Sequence, residues 1–481
     1  MLRIVSLFFC IALFWTVGAN TKVVNPLNYG LLKTNSPIEN FYILQRCHTD
    51  ALKNGCSISY TGVDTLYIEI PKDAEPLPLT KDVDFANATI IVDNKQKDCF
   101  LFRMTSQMTP IDIKGSQVDQ KNYRCHPVLN KGTFLLVVED NEPWCARDGY
   151  DSKVKRRDVM LIKNGRASNS PVMSYCTSVS KPVAKYRRID SQKTLVRNLN
   201  FVRTASSTFE TYCLSIAYQN NVELNRINVT TPQGSQLFAD KVIYLESCVD
   251  VTLNDIRIDG TYSQKRKYGY GICLMNISNL KVNRMYGRGN WGVFGTHCLN
   301  NVTLKDCDIN RFDIHCYGKD VKAIGCKFVQ LYNQFSSVYG TISFIRCEFD
   351  HCRPVLIESS YNAYTPFNLV WKNCTFYLDK SHNYLMTLFG VPESYNERPE
   401  LRKKSLPNIY LKNCKVVLDD EISTWYIVQT GGVKYKDSFD GISEITIKGL
   451  TVENEGDKEF QLFSEEVKTS LPVKTVVKMR H

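Results

Sequence analysis

Between Asn221 and Cys414 the chain repeats one short pattern: a turn-forming residue, apolar side chains at alternate positions, and a closing apolar residue. The copies read NVELNRI from Asn221, DVTLNDI from Asp250, NLKVNRM from Asn279, NVTLKDC from Asn301, DVKAIGC from Asp320, GTISFIRC from Gly340, NLVWKNC from Asn368 and NIYLKNC from Asn408. Each opens with Asn, Asp or Gly, the residues that most readily take left-handed backbone at a tight corner, and continues with the two-residue period of a strand. The starts lie 19 to 40 residues apart, too irregular for a helical repeat of fixed length but natural for a coil whose loops vary. The pattern therefore predicts an all-β solenoid, a parallel β-helix in which each coil supplies one layer of a continuous apolar interior.

Around these coils the pattern changes. Residues 1–19 read as a signal peptide: Arg3, an apolar run from Ile4 to Val17, and a small-residue site at Val17-Gly18-Ala19. That run is shorter than the roughly 20 residues of a spanning helix, so a secreted, periplasmic or surface location with no transmembrane segment is expected. Residues 20–105 read as an N-terminal cap and first coils, with helical spacing from Ile38 to Asn54 ended by Gly55, then short strands at Thr65–Ile70 and Thr89–Val92. Residues 106–185 read as an irregular, loop-rich insertion or short strands, residues 186–450 as the regular coils, and residues 451–481 as a C-terminal cap and tail, either polar or a final edge strand.

Composition adds two constraints. With Cys10 in the leader, the 18 cysteines leave an odd number in the mature chain. Cys307, Cys326, Cys347, Cys374 and Cys414 all stand where earlier copies carry Ile227, Ile256 and Met285. A position shared by Cys, Ile and Met is an interior apolar one, and one cysteine per coil cannot form a metal cage, so neither disulfide framework nor metal is expected there. The net charge of +11, with acidic residues interspersed, fits an acidic polysaccharide better than nucleic acid. The sequon asparagines Asn87, Asn228, Asn276, Asn301 and Asn373 read as structural, since Asn301 simply fills a corner.

The entry NPLNYGLLK at 25–33, the capping helix and the N-x-hydrophobic-x-x-C coils together resemble the pectin lyase-like superfamily. That resemblance implies a single-stranded right-handed parallel β-helix with an N-terminal capping helix, and a polysaccharide partner laid along an outer sheet face. Other features of its enzymes are missing: Asn-Thr-Asp and Gly-His-Gly, the Trp-Ile-Asp-His run, and a calcium-binding carboxylate cluster. No cofactor motif is present: neither phosphate loop nor dinucleotide fingerprint occurs.

The densest polar constellation is Asn310-Arg311-Phe312-Asp313-Ile314-His315-Cys316-Tyr317. If Phe312, Ile314 and Cys316 fill the interior, alternation turns Arg311, Asp313 and His315 outward as one exposed row. Stacking would add Asn290 and Trp291 from the preceding coil, then Tyr332, Asn333, Arg353, Glu358, Tyr361 and Tyr364, with Tyr317 at the end of the row. A lyase could use Arg311 or Arg353 to neutralise a uronate, His315 as base and a tyrosine as acid; a glycoside hydrolase could use Asp313 with Glu358. The alternative is a non-catalytic glycan-binding, adhesion or surface structural protein, with the charged row an ion pair that orders the sheet.

Overall fold

The computed structural model describes residues 22–95, 98–105, 111–113, 127–139, 145–146, 153–155, 157–169, 183–204, 209, 211–230, 241–259, 269–288, 291–336, 338–357, 367–388, 407–430, 444–465, 467 and 476–480. An 18-residue helix, α1 (Pro37–Asn54), closes the N-terminal end. Ser36 and Glu39 form a reciprocal capping box, Pro37 sits at the first helical position, and Gly55 takes the left-handed conformation that ends the helix. Its buried face, with Phe41, Leu44, His48 and Ala51, covers the first coil and removes an open strand edge.

Behind α1 the chain winds as a right-handed parallel β-helix, with each strand hydrogen-bonded in parallel to its counterparts one coil away. Two corner columns run through it. The opening residues Asn221, Asp250, Asn279, Asn301, Asp320 and Gly340 all have φ between 52° and 73°. A second left-handed residue stands before each closing apolar position, as Arg226, Asp255, Arg284, Asp306, Gly325, Arg346, Asn373 and Asn413. The first column is tied by side chains: Asn279 Nδ2 donates to Asp250 Oδ1 at 2.8 Å, and Asn301 Nδ2 to Asn279 Oδ1 at 2.9 Å. Between the corners apolar side chains fill the interior, where Phe328, Phe349 and Phe376 stack ring on ring at 5.2 and 5.0 Å. The five repeat cysteines lie there too, buried and free.

One face of the solenoid carries the candidate site. Its strands are β1 (Cys99–Thr105), β2 (Thr211–Ala217), and the first segments of β3 (Lys241–Asp259), β4 (Tyr270–Asn283), β5 (Gly292–Lys305) and β6 (Phe312–Ile324), followed by β7 (Tyr332–Phe335) and β8 (Arg353–Ile357). These pair in that order.

Where a loop-rich insertion or short strands were expected, the described residues form a five-stranded antiparallel sheet: Ile111–Ile113, Thr133–Glu139, Arg157–Lys163, Arg166–Ala167 and Val183–Arg188. Apolar side chains on both of its faces are buried, which hides the alternation that marks a one-sided strand. Leu136, Val138, Met160 and Ile162 make a core of their own, while Leu135, Val159 and Leu161 pack on Val249 of the solenoid. The sheet is pinned further by Asn169 Nδ2 donating to Ser278 Oγ at 2.9 Å and Tyr317 Oη donating to Asp158 Oδ2 at 3.0 Å. It stands as a wall beside the β3–β6 face. At the other end Val476–Arg480 pairs in parallel with Glu444–Lys448 as a final edge strand.

Candidate functional site

Phe312 and Ile314 of β6 point into the solenoid core. Arg311, Asp313 and His315 therefore take the opposite face, but that face is not open: they are 2%, 0% and 9% exposed. The expected solvent-lined row is corrected to a buried ionic cluster. A bulge in the β5–β6 pairing, between Thr296 and His297, leaves His315 as the extra residue and re-aims it beside Asp313.

The cover is Tyr270. Its ring starts in β4 and crosses the whole of β5 to reach β6. The crossing is possible because β5 presents Gly292 and Gly295 there: a Cβ on Gly295 would lie 2.5 Å from the Tyr270 ring, and one on Gly292 within 3.0 Å of the ring and 2.9 Å of Arg311 Cδ. Tyr270 Oη then lies 3.1 Å from Asp313 Oδ2, to which it donates, and 2.8 Å from His315 Nε2.

Asp313 is surrounded by donors. Oδ2 also meets Arg311 Nε at 2.5 Å and His315 Nε2 at 3.2 Å, and Oδ1 accepts from the Gln334 backbone N–H at 3.2 Å. Burial alone would push its pKa up; the Arg311 charge and the His315 hydrogen bond outweigh this and hold it below the ordinary carboxylate value. Burial works against the Arg311 charge as well, and the adjacent Asp313 carboxylate more than offsets it, so the guanidinium stays charged. The Tyr270 hydroxyl is pushed well up by burial and then by Asp313, so it is a donor here and no base.

Above the ion pair, Arg311 is the centre of an aromatic cage. Its guanidinium carbon lies 4.0 Å from the ring centroid of Tyr332, 4.7 Å from Trp291 and 5.6 Å from Tyr270. Nη2 donates to Gln334 Oε1 at 3.2 Å, while Nη1 is buried with no hydrogen-bond acceptor among the described residues. The three rings are only half-buried, so their outer parts face solvent.

The residues singled out from sequence thus divide. Arg311, Asp313, His315, Trp291 and Tyr332 come together, and Arg353 follows Tyr332 in register on β8, half-buried. Asn333 is 1% exposed and braces the backbone: Oδ1 accepts from Phe312 N–H, and Nδ2 donates to Pro354 O. Tyr317 is buried beneath the insertion wall, bonded to Asp158. Neither is on the outer surface, because one side chain is consumed by the neighbouring strands and the other by the inserted sheet. Asn290, Glu358, Tyr361 and Tyr364 lie outside the described residues. Tyr270 was not anticipated; two glycines three apart in an otherwise apolar strand, GVFG at 292–295, are the signal that something crosses there. Among the described residues no group of three His, Cys, Asp or Glu side chains could hold a metal ion, and no helix is long and apolar enough to cross a membrane.

No family model and no curated protein matches this chain. Solved structures do. The tailspike gp61 of Pseudomonas phage phi297 matches at TM-score 0.52 and 11% identity, over 90% of this chain and 80% of that one. The Gp54 tailspike of Acinetobacter baumannii bacteriophage AP22 matches at TM-score 0.51 and 12% identity, over 94% and 79%. The likeness is one of fold: this chain is a right-handed parallel β-helix, the architecture it shares with those two tailspikes.

Proposed function

We propose that this protein is exported and binds a polysaccharide along the outer face of β1–β8, with the Arg311 cage as one subsite and without cleavage by Asp313. The observation that carries the reading is the fixing of three half-exposed rings, Tyr270, Trp291 and Tyr332, around one buried cation. Pyranose C–H faces pack on such rings, and rings already immobilised lose little entropy on binding. Hydrolysis through Asp313 fits poorly, because both its oxygens are engaged inside the protein and a nucleophile or base must reach the sugar. The AP22 tailspike was solved with a capsular saccharide, which accords with a glycan reading of the shared fold.

The test is titration of acidic and neutral polysaccharides, followed by tryptophan fluorescence and calorimetry. Trp291→Ala and Tyr332→Ala should each lower affinity about fivefold. Gly295→Ala should do the same by displacing Tyr270. None should release reducing ends or unsaturated uronates in wild type or variant. Wild-type product formation lost in Asp313→Asn would restore the enzyme reading, and absence of binding to every glycan would sink the proposal.

A further inference from the structure

The aromatic surface does not stop at the cage. Toward the N-terminal end the same face carries Tyr244 on β3, Tyr212 on β2 and Phe100 on β1. The Phe100 and Tyr212 rings lie 4.9 Å apart, and those of Phe100 and Tyr244 6.1 Å apart. Between these rings and Tyr270 stands Lys241, paired in register with Tyr270 itself. Its ammonium lies 5.8 Å from the Tyr212 centroid and 5.5 Å from that of Tyr244. It forms no ion pair with a carboxylate among the described residues.

The inserted sheet gives this track a side. Tyr244 Oη donates to Glu246 Oε2 at 3.2 Å, and Arg157 of the insertion approaches Glu246 at 3.7 Å. Glu246, a carboxylate on the same strand as Lys241, is thus engaged by its own partners.

We infer that the ligand track runs along the solenoid axis from Phe100 to Tyr332, and that Lys241 reads a carboxylate on an acidic polysaccharide. Six strand-to-strand steps separate the two ends, roughly 29 Å, which is about six pyranose units at roughly 5 Å each. Two rings hold the ammonium from the protein side, so its remaining donors face the ligand, and a cation beside stacking platforms matches a uronic acid: a ring with apolar faces and one charge. The overall charge of +11 favours the approach of such a chain. This inference rests on the glycan-binding reading above and adds length and charge to it.

The experiment measures the affinity of the full chain for oligogalacturonates and mannuronate oligomers of two to eight units, each against its carboxyl-reduced counterpart. Wild type should tighten with each unit up to about six, bind the reduced oligomers more weakly, and weaken with added salt. Lys241→Gln should lose about fivefold toward the acidic oligomers and nothing toward the reduced ones, with a shallower salt dependence. Phe100→Ala should weaken long oligomers alone, and an unchanged melting temperature in Lys241→Gln keeps the result independent of folding. Binding that is indifferent to length and to both substitutions would overturn the extended track while leaving glycan binding intact. Equal binding of acidic and reduced oligomers would overturn the role of Lys241. No binding of any oligomer would overturn the glycan reading, and this inference with it.

Discussion

The thiol column and the Arg311 cluster run through overlapping coils, and both are shut away from water. Cys307, Cys326, Cys347, Cys374 and Cys414 repeat one side chain at one register, so the inner three thiols meet their own kind above and below and the end two on one side. Their residual polarity is met locally: Cys307 Sγ lies 3.3 Å from Lys305 O, and Cys347 Sγ 3.5 Å from Ala323 O. In Cys326, Cys347 and Cys374 the preceding thiol lowers the pKa, but the following thiol and burial outweigh it and push each up to about 12. These three thiols are thus held protonated, while at the end of the column the hydrogen bond from Cys374 lowers the Cys414 pKa against its burial. The Arg311 cluster repeats nothing. It needs Tyr270 from β4, two glycines from β5, Asp313 and His315 from β6 and Gln334 from β7, and its charges are tolerable only while all are present. A repeated interior spreads a defect over its neighbours; a unique ionic site concentrates it.

The largest expected effect follows from that contrast. An exposed row would tolerate Asp313→Ala; the buried cluster should not, because Arg311 would remain charged at 2% exposure with its carboxylate gone. We expect a loss of about 3–5 kcal/mol in denaturant unfolding, comparable with Ile314→Asp on the core side of the same strand. Arg311→Ala should destabilise too, through the lost cage as well as the lost charge. An Asp313→Ala protein of wild-type stability would dissolve the distinction between the two regions.

A second polar island, under α1, sharpens the comparison because it is buried neutral. His48 is fully buried, with Nδ1 2.8 Å from Pro78 O and Nε2 2.7 Å from Tyr60 Oη. Burial lowers its pKa from 6.5 to about 4, with the Pro78 carbonyl opposing weakly. The unfolded chain therefore takes up the proton first as pH falls. The stability His48 contributes is whole above pH 6.5 and is lost progressively toward pH 4, by roughly 3 kcal/mol. Asp313 has its folded pKa lowered from 3.8, so its contribution is intact through that window and declines only at more acid pH. Unfolding free energies between pH 7 and 4 should fall in wild type and stay flatter in His48→Gln; parallel curves would place the loss elsewhere.

The fold was legible because its signals are local and repeated. Asn221, Asp250 and Asn279 announced corners through a conformational preference of single residues, and the Cys–Ile–Met exchange located an interior column. The second corner was less visible, since it is filled by Arg226, Arg284 and Arg346 as readily as by Asp255 or Asn373. Alternation at Phe312 and Ile314 gave the right facing for Arg311 and Asp313 but the wrong exposure. Facing is set by the strand, whereas exposure is set by Tyr270, 43 residues from Asp313, and by the missing side chains of Gly292 and Gly295. The inserted sheet was hidden for a related reason, as TFLLVVE at 133–139 buries both faces and shows no period.

The smallest expected effect lies in the column itself. Cys347 is 2% exposed between the thiols of the neighbouring coils, and its Sγ makes only weak contacts to carbonyls. Cys347→Val keeps an apolar side chain of similar size, so it should cost under about 1.5 kcal/mol, well below Asp313→Ala. Thiol reagents should leave all five column cysteines untouched in the native protein and label all five once it is unfolded without reductant. The two measurements depend on each other: an inert thiol that also resists replacement would mean the column holds something more specific than packing. A mapped disulfide between any two of the five, or a Cys347→Val loss as large as that of Asp313→Ala, would show that repetition does not cushion this interior and that the two regions are built alike.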